Sequence, residues 1–298
     1  MIGNGVVREA RRALREAGVH GSFLVRDLDT GEELGIDPDT VFPAASLVKI
    51  PLAVVTLERI ARGELDPAHR LEIAPGAVAT PGPTGLTKFR HPATVAIDDL
   101  LYLAVSVSDS TAADALFALT PPAETDAALR RLHFTDLAVR HQVRALTETP
   151  AERFPPADAH LAHTLAITGA SGGGHPIAQL DVSRANTGTA RAWADLLAAI
   201  WRPSALAPST AARMRELLGD SVMRHRLAPD LASDASRWSS KTGTLLNLRH
   251  EAGVVEHADG RTYAVVALTE SHIPAAAQPA TEALMGRTAR ALRDALRP

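Results

Sequence analysis

Apolar residues near the start of the chain recur every three or four positions, which predicts an amphipathic helix. The periodic residues are Val6, Val7, Ala10, Ala13, Leu14 and Ala17. Asn4 is a candidate N-cap and Gly18 a stop signal, and the arginines between them fall on a solvated face. Two strand-like stretches follow in GSFLVRDLDTGEELGI. They flank a turn at 29–31, so we expect a hairpin after the first helix.

The middle of the chain is mainly helical in pattern. A helix is predicted from Ser46 to about Arg62, where Gly63 ends it, and an irregular proline-rich stretch runs from 67 to 92. Pro51 falls in the second turn of that helix, where we expect it to remove a backbone donor and bend the axis. Further helices are predicted at Ile97–Val107, Thr111–Leu119 and Ala190–Trp201.

The last part of the chain returns to a strand-like pattern. Two strand-like runs are divided by Ala258-Asp259-Gly260, and an alanine- and arginine-rich helix is expected at Ala276–Leu296. Strands at both ends with helices between them predict an α/β sandwich, an α+β arrangement with an antiparallel sheet built from both termini. We expect one domain over 1–298, with a sheet-bearing lobe (1–45 and 203–298) and a mostly helical lobe (46–202).

Composition narrows the classes of partner. The 298 residues are 46% hydrophobic and carry a net charge of -3, which gives no reason to expect nucleic acid or an anionic membrane. No apolar run reaches the roughly 18 residues of a membrane span, and the start of the chain lacks the apolar core of a secretory signal. We therefore expect a cytoplasmic monomer that acts on small molecules, or a periplasmic or secreted one if a leader was removed. With 0 cysteines, disulfides and thiolate metal sites are excluded.

A candidate nucleophile and base lie in AASLVKIPL. Ser46 and Lys49 are three positions apart, so on a helix they share a face and the lysine can reach the serine hydroxyl. A lysine accepts a proton at neutral pH when burial or a nearby cation lowers its pKa. Alone, such a pair is more often a chance match or a helix cap.

Two further motifs support a catalytic interpretation of the Ser46–Lys49 pair. Ser108-Asp109-Ser110 begins 62 positions after Ser46, and Lys241-Thr242-Gly243 begins 133 positions after Ser108. These three elements, in this order, resemble those of class A β-lactamases and penicillin-binding proteins. The stretches FPAASLVK, LERIARGELD, SVSDSTAAD, WSSKTGTL and DLDTGEELG are similar to the corresponding family segments. The resemblance implies a β-lactamase/DD-peptidase-like fold and a serine hydrolase that opens a β-lactam or related amide.

The resemblance implies four catalytic side chains. Ser46 would accept the acyl group, Lys49 would act as base, and Ser108 would relay a proton towards the leaving nitrogen. Lys241 would keep the local potential positive, which favours a neutral Lys49 and an anionic substrate. The backbone N–H groups of Ser46 and Thr244 would form the oxyanion hole.

The implied substrate-binding residues are Ser110, Thr242, Gly243, Thr244 and Arg249. Both threonines can bond a substrate carboxylate, and Gly243 leaves room along the strand. Arg249 would be a bidentate charge partner. Because Arg249 and His250 are neighbours on a strand-like run, they face opposite ways, and the sequence leaves open which one faces the cleft.

Two departures from the family pattern concern substrate and water. Ser110 stands where the family usually has asparagine, so recognition of a penicillin side-chain amide is weakened. The family's deacylating Glu-x-x-Leu-Asn stretch has no counterpart between Ser110 and Lys241. Aligning FTDLAVRHQV with the family puts His141 near the glutamate's place, and Glu148, Glu152 and Asp158 remain alternatives. We therefore expect slow deacylation.

No cofactor or metal is expected. His160 and His163 are three apart and could share a helical face, but further ligands are missing from the pattern. AITGASGGGHP predicts a mobile or tightly turning segment and lacks the context of a phosphate loop. Other readings of the sequence stay open: an esterase, peptidase or acyltransferase of the same fold, a β-lactam-binding sensor without turnover, or a pseudoenzyme.

Overall fold

A computed structural model describes residues 2–74, 84–169 and 173–297. The helices are α1 (Ile2–Glu16), α2 (Lys49–Ala61), α3 (Ile97–Val105), α4 (Ser110–Leu119), α5 (Pro122–Arg131), α6 (Ala159–Thr168), α7 (Ala190–Trp201), α8 (Pro208–Gly219), α9 (Ala228–Leu231) and α10 (Pro279–Leu296). The strands are β1 (Val19–Asp27), β2 (Glu33–Ile36), β3 (Val41–Pro43), β4 (Arg70–Ile73), β5 (Ala93–Ala96), β6 (Leu137–Ala138), β7 (Thr187–Thr189), β8 (Ser236–Leu245), β9 (Leu248–His257) and β10 (Thr262–Ser271). Short 3-10 turns span Ala45–Val48, Gly85–Lys88, Val143–Thr147, Pro150–Glu152 and Pro156–Asp158.

A five-stranded antiparallel sheet joins the two ends of the chain. Its strand order is β2-β1-β10-β9-β8, and Val19 at the start of β1 pairs with Ser271 at the end of β10. The expected sheet built from both termini is confirmed, as is the β1–β2 hairpin around Gly31, whose φ of 78° suits glycine. Among the described residues, no helix is both long and apolar enough to cross a bilayer.

The expectation of two strand-like runs near the end of the chain is wrong by one strand. The first run is divided into β8 and β9, which pair from Ser236↔His257 to Leu245↔Leu248. The turn between them contains Leu246 at φ 46° instead of glycine. The two turn residues, Leu246 and Asn247, include neither Gly nor Pro, so the single asparagine gave a weaker turn signal than the Asp-Gly pair at 259–260.

The two faces of the sheet are covered by different helices. Apolar residues of α1, α9 and α10 pack with β1, β9 and β10 on one face. On the other face, α2, α3, α4, α7 and α8 enclose the larger core. Within α2 the residues from Lys49 to Leu57 are all buried, so this helix runs through the middle of the helical region.

The segment that contains Ser46 begins differently from the prediction. Residues Ala45–Val48 form a 3-10 turn, and the α-helix starts at Lys49. Pro51 therefore lies in the first turn of α2 rather than the second, where a backbone N–H has no helical partner to lose. The expected interior proline is thus a helix-start proline.

Candidate active site

The ammonium group of Lys49 lies at the centre of the predicted site. Its Nζ donates to Ser108 O at 2.7 Å, to Ser108 Oγ at 3.4 Å and to Ser110 Oγ at 3.2 Å. The side chain is fully buried, and this burial lowers the Lys49 pKa to about 8, against the attraction of Asp109 and Asp114. At pH 7, one unit below this pKa, about a tenth of these amines is neutral and able to accept a proton.

Lys241 approaches the same serine from the sheet. Its Nζ donates to Ser108 Oγ at 2.7 Å and to Thr242 O at 2.9 Å. Burial, reinforced by repulsion from Lys49 and Arg226, lowers the Lys241 pKa well below its usual value. Because both lysines share one hydroxyl, their protons are coupled, and the pair holds its second proton weakly.

Ser108 is held in a backbone conformation that serine seldom adopts. Its φ is 65°, in the turn between α3 and α4. Its Oγ accepts hydrogen bonds from Lys49 and Lys241, which occupies both lone pairs. The hydroxyl proton is thus left free to be donated into the cleft.

Asp109 holds this turn in place through hydrogen bonds to the residues around it. Its buried carboxylate caps α4 by accepting from Thr111 N and Ala112 N, and it also accepts from Leu86 N and Thr87 Oγ1. Ser110, the third residue of the motif, is buried, and its hydroxyl accepts from Lys49. The short side chain that replaces the family's asparagine is therefore part of the lysine's hydrogen-bond shell.

Ser46 lies on the 3-10 turn, which packs against β8. The Lys49 N–H donates to Ser46 O, the i to i+3 contact of such a turn, and Ser46 is partly exposed. A Cβ at Gly243 would lie 3.2 Å from Ala44 O and 3.3 Å from Leu47 Cγ. The glycine of the third motif thus allows the serine turn and the strand to approach each other closely.

Arg249, which the family resemblance implies as a charge partner, is bonded to backbone carbonyls in the structure. Arg249 is buried, and its Nη atoms donate to the backbone carbonyls of Leu246, Leu248 and Ala276. His250, on the opposite face of β9, donates through Nε2 to Pro43 O at 2.9 Å and accepts through Nδ1 from Thr269 N at 3.1 Å. The predicted role of Arg249 as a charge partner stays a prediction, and its guanidinium is already engaged by backbone oxygens.

Arg226, which sequence reasoning missed, contacts the third motif directly. Its Nη2 donates to Thr244 Oγ1 at 2.7 Å, its Nη1 to Gly243 O at 2.9 Å, and its Nε to Glu282 Oε1 at 3.0 Å. Since Thr244 Oγ1 accepts from the guanidinium, its own proton is free for an anion. Arg226 is 15 positions before Lys241 in an irregular stretch, and no spacing signal marked it.

His141 is tied to a neighbouring loop residue. Its Nδ1 lies 2.9 Å from Gln142 O, and its Nε2 accepts from Asn186 N at 3.2 Å. Burial is the main reason that the His141 pKa is lowered. Asn186 in turn accepts from Ala44 N through its backbone oxygen at 2.7 Å, so it links His141 to the serine turn. With Nδ1 protonated, both ring nitrogens of His141 have partners.

The other candidate deacylation bases are Glu148, Glu152 and Asp158. Glu148 is exposed, and the side chain of Glu152 lies outside the described residues. Asp158 is half-buried at the start of α6 and makes no cap hydrogen bond there. The glycine-rich segment falls partly at 170–172, also outside the described residues.

The structure also places the two histidines of the weighed metal site. His160 is exposed and His163 buried, and both lie on α6. In the described ranges no group of three or more His, Cys, Asp or Glu side chains could hold a metal ion.

Known proteins resemble this chain in sequence over nearly its whole length. The model of a family described as the beta-lactamase enzyme family matches residues 6–296. A curated protein from Streptomyces cacaoi, named beta-lactamase regulatory protein BlaB, is 64% identical over 304 residues, covering 98% of this chain and 97% of that protein.

Solved structures agree on the fold. A structure described as PBP-A has a TM-score of 0.78 and 18% identity, covering 98% of this chain and 96% of that chain. A β-lactamase from Sphaerobacter thermophilus DSM 20745 has a TM-score of 0.78 and 23% identity, covering 99% and 98%. At these identities the likeness establishes the fold alone.

Proposed function

Since the chain belongs to the beta-lactamase enzyme family, we propose that Ser46 accepts an acyl group from an anionic amide, such as a β-lactam. We further propose that the acyl group is released slowly. The protein then acts as an acylation-dependent sensor rather than as a rapid hydrolase.

One observation carries the acylation half of this proposal. Ser108 Oγ accepts hydrogen bonds from Lys49 and Lys241 together, and both lysines are buried with lowered pKa values. A serine bonded in this way to two amines of weakened basicity is suited to pass protons between a nucleophile and a leaving group. A merely structural role would not require two buried lysines at one hydroxyl, since burying a charge is costly.

The acylation step can be written with these groups. Neutral Lys49 takes the proton of Ser46 Oγ, and the oxygen attacks the carbonyl carbon of the substrate. When the C–N bond breaks, the nitrogen takes the proton of Ser108 Oγ. One of the two lysines then returns a proton to Ser108. The substrate carboxylate would be bound by Thr244 and by the positive potential of Arg226 and Lys241.

The contacts of His141 support slow deacylation. Hydrolysis of the ester requires a base that holds a water and accepts its proton. The lone pair of His141 Nε2 is taken by Asn186 N–H, so the imidazole would have to break that bond to activate a water. A weakly assisted water attacks the ester slowly, and the acyl-enzyme accumulates.

A persistent acyl-enzyme also fits a regulatory role. The Streptomyces cacaoi relative is named a beta-lactamase regulatory protein, and we propose a regulatory role for this chain as well. A sensor needs a state that outlasts the encounter with its ligand. A long-lived ester at Ser46 would supply such a state.

Intact-protein mass spectrometry tests the proposal. The protein is mixed with penicillin G, nitrocefin, a D-Ala-D-Ala peptide and a thioester, and the mass is followed over time. We expect a covalent adduct from at least one donor that persists for many minutes and is absent in Ser46→Ala. An adduct that survives unchanged in Ser46→Ala contradicts the proposed nucleophile. Rapid multiple turnover contradicts the sensor and supports the hydrolase, whereas reaction with the thioester alone supports the esterase reading.

A further inference from the structure

Strand β9 carries a buried carboxylate that the proposed acylation step does not use. Glu251 is 0% exposed and is the register partner of Thr242 in the third motif. A charged side chain is seldom fully buried unless other groups compensate it, because a buried carboxylate loses its hydration. The hydrogen bonds of Glu251 therefore indicate what this costly group holds in place.

The two oxygens of Glu251 bond different parts of the chain. Oε1 accepts from Trp238 Nε1 at 2.8 Å and from Ser240 Oγ at 2.6 Å, both on β8. Oε2 accepts from Leu227 N at 2.8 Å. Leu227 lies outside the sheet, at the N-cap position of α9. One oxygen is thus satisfied within the sheet, and the other joins the segment before α9 to the sheet.

The neighbour of Leu227 along the chain is Arg226, whose guanidinium contacts the third motif. Its Nη1 donates to Gly243 O at 2.9 Å and its Nη2 to Thr244 Oγ1 at 2.7 Å. The Arg226 side chain is 3% exposed. A buried side chain that must reach several acceptors keeps its geometry only when its backbone is also held. The bond from Leu227 N to Glu251 holds that backbone one residue away.

We propose that Glu251 is a positioning residue for anion recognition, which holds Leu227 N–H and thereby keeps the Arg226 guanidinium at Thr244. This inference rests on the proposed function, in which Thr244 and Arg226 bind the substrate carboxylate. Because Glu251 is fully buried, it acts through Arg226 rather than on the substrate. Without its bond the segment before α9 is less well ordered, and the preference for an anionic substrate falls.

The charge of Glu251 is a second way in which this residue influences the site. Burial lowers the Lys241 pKa, and the negative charge of Glu251 opposes this shift. The test must therefore separate the hydrogen bond from the charge. Trp238→Phe makes this possible, because it removes the indole donor at Oε1 and leaves the bond from Leu227 in place.

In the Trp238→Phe background, two changes at Glu251 differ in the bond but not in the charge. Glu251→Gln can accept from Leu227 N through its oxygen and donate to Ser240 Oγ through its amide. Glu251→Met has neither the acceptor nor the charge, and Glu251→Leu replaces it if circular dichroism shows that it does not fold. Trp238→Phe alone is the reference.

Two measurements are made on each full-length variant. Hydrogen exchange followed by NMR gives the protection of the Leu227 amide relative to the amides of β9. The ratio of acylation rates for penicillin G and its methyl ester gives the preference for an anion, and it cancels any shared loss of folded protein. We expect Glu251→Met to lower both quantities by about two- to tenfold, the effect of one hydrogen bond. Glu251→Gln should match the reference in both.

The proposal requires the anion preference to follow the protection of the Leu227 amide. Protection that is equal in all three chains overturns it, as does lost protection with an unchanged preference. A preference that falls in Glu251→Gln while Leu227 stays protected assigns the effect to the charge and also overturns it. If the parent forms no acyl adduct, the proposed function fails. The exchange at Leu227 and the chemical shifts of Gly243 and Thr244 then still decide whether Glu251 positions Arg226.

Discussion

The cluster around Ser108 and the segment from His141 to Asn186 differ in how they are built. In the cluster, side chains from α2, the α3–α4 turn and β8 converge on one hydroxyl, and every lysine is buried. In the segment, short 3-10 turns and a helix are held by Asn186, by the Asp114 carboxylate of α4, which accepts from Val143 N and Arg144 N, and by apolar contacts. The first is held by rigid elements and the second by loops.

This difference corresponds to the two halves of the proposed acyl-transfer reaction. In that proposal acylation uses the cluster together with Ser46, whereas deacylation needs a base that a loop must present at the right distance. A fold can therefore keep the first half and lose the second when the loop is rebuilt. The four predictions below test that separation, beginning with the largest expected effect.

Removing either lysine of the cluster should slow acylation strongly. For Lys49→Ala and Lys241→Ala we expect losses of about 10²- to 10⁴-fold, the usual effect of removing a positioned acid or base. Stopped-flow measurement of nitrocefin acylation gives the rate, and circular dichroism checks the fold. Acylation at the parent rate in either variant would remove that lysine from the mechanism.

The two arginines near β8 should differ in their effect on anionic substrates. Arg226 donates to Thr244 Oγ1, whereas Arg249 donates to backbone carbonyls. We expect Arg226→Gln to reduce the preference for a penicillin carboxylate over its methyl ester by about tenfold, because a hydrogen bond to a charged group is lost. Arg249→Gln is the matched variant and should leave the preference unchanged.

The measurement for both variants is the ratio of acylation rates, which cancels any shared loss of folded protein. The opposite pattern, with the preference lost in Arg249→Gln only, would restore the role that the family resemblance implied for Arg249.

Burial of Lys49 should leave a signature in the pH dependence of stability. Its pKa is about 8 in the fold and 10.5 ordinarily, so between these values the unfolded chain binds more protons and stability rises with pH. Relative to Lys49→Met, the parent should gain on the order of 2 kcal/mol between pH 7.5 and 9.5. Urea unfolding at the two pH values gives the difference. Parallel pH profiles for parent and variant would show that the Lys49 pKa is not lowered.

The smallest effect is expected at His141. If both ring nitrogens are structural, His141→Gln should change the lifetime of the acyl-enzyme by less than about threefold. A general base would cost about 10²- to 10⁴-fold on removal. The decay of the adduct mass over time distinguishes the two, and Glu148→Gln serves as the exposed comparison. A strongly prolonged lifetime in His141→Gln would identify the base in the rebuilt segment.

The sequence predicted those parts of the molecule that rest on short-range patterns. The hairpin around Gly31, helix α7 and the order of the three motifs depend on local spacing, and they identified the fold. The turn at Leu246 was missed because Asn247, its one residue with a turn preference, has no adjacent Gly or Pro. Pro51 was assigned to the wrong turn because the 3-10 segment before α2 has the same spacing as a helical turn.

The sequence predicted the site residues that belong to the three short motifs, but not the residues that join the site from elsewhere in the chain. Arg226 contacts Thr244 although α9 and most of β8 lie between them along the chain. Asn186, 45 positions after His141, joins that histidine to Ala44. Such contacts depend on how β8, α9 and the 141–186 segment fold back on one another. One sequence carries no periodic signal for them.

The position of β10 in the sheet has a consequence for how the protein forms. This strand lies between β1 and β9, and its partner β1 is near the other end of the chain. During synthesis the β1–β2 hairpin therefore waits, with an apolar edge unpaired, until almost all of the protein has left the ribosome. Pairing between strands so far apart in the sequence makes folding slow and leaves an unpaired, aggregation-prone strand edge. Newly made chains are therefore exposed to aggregation until β10 closes the sheet.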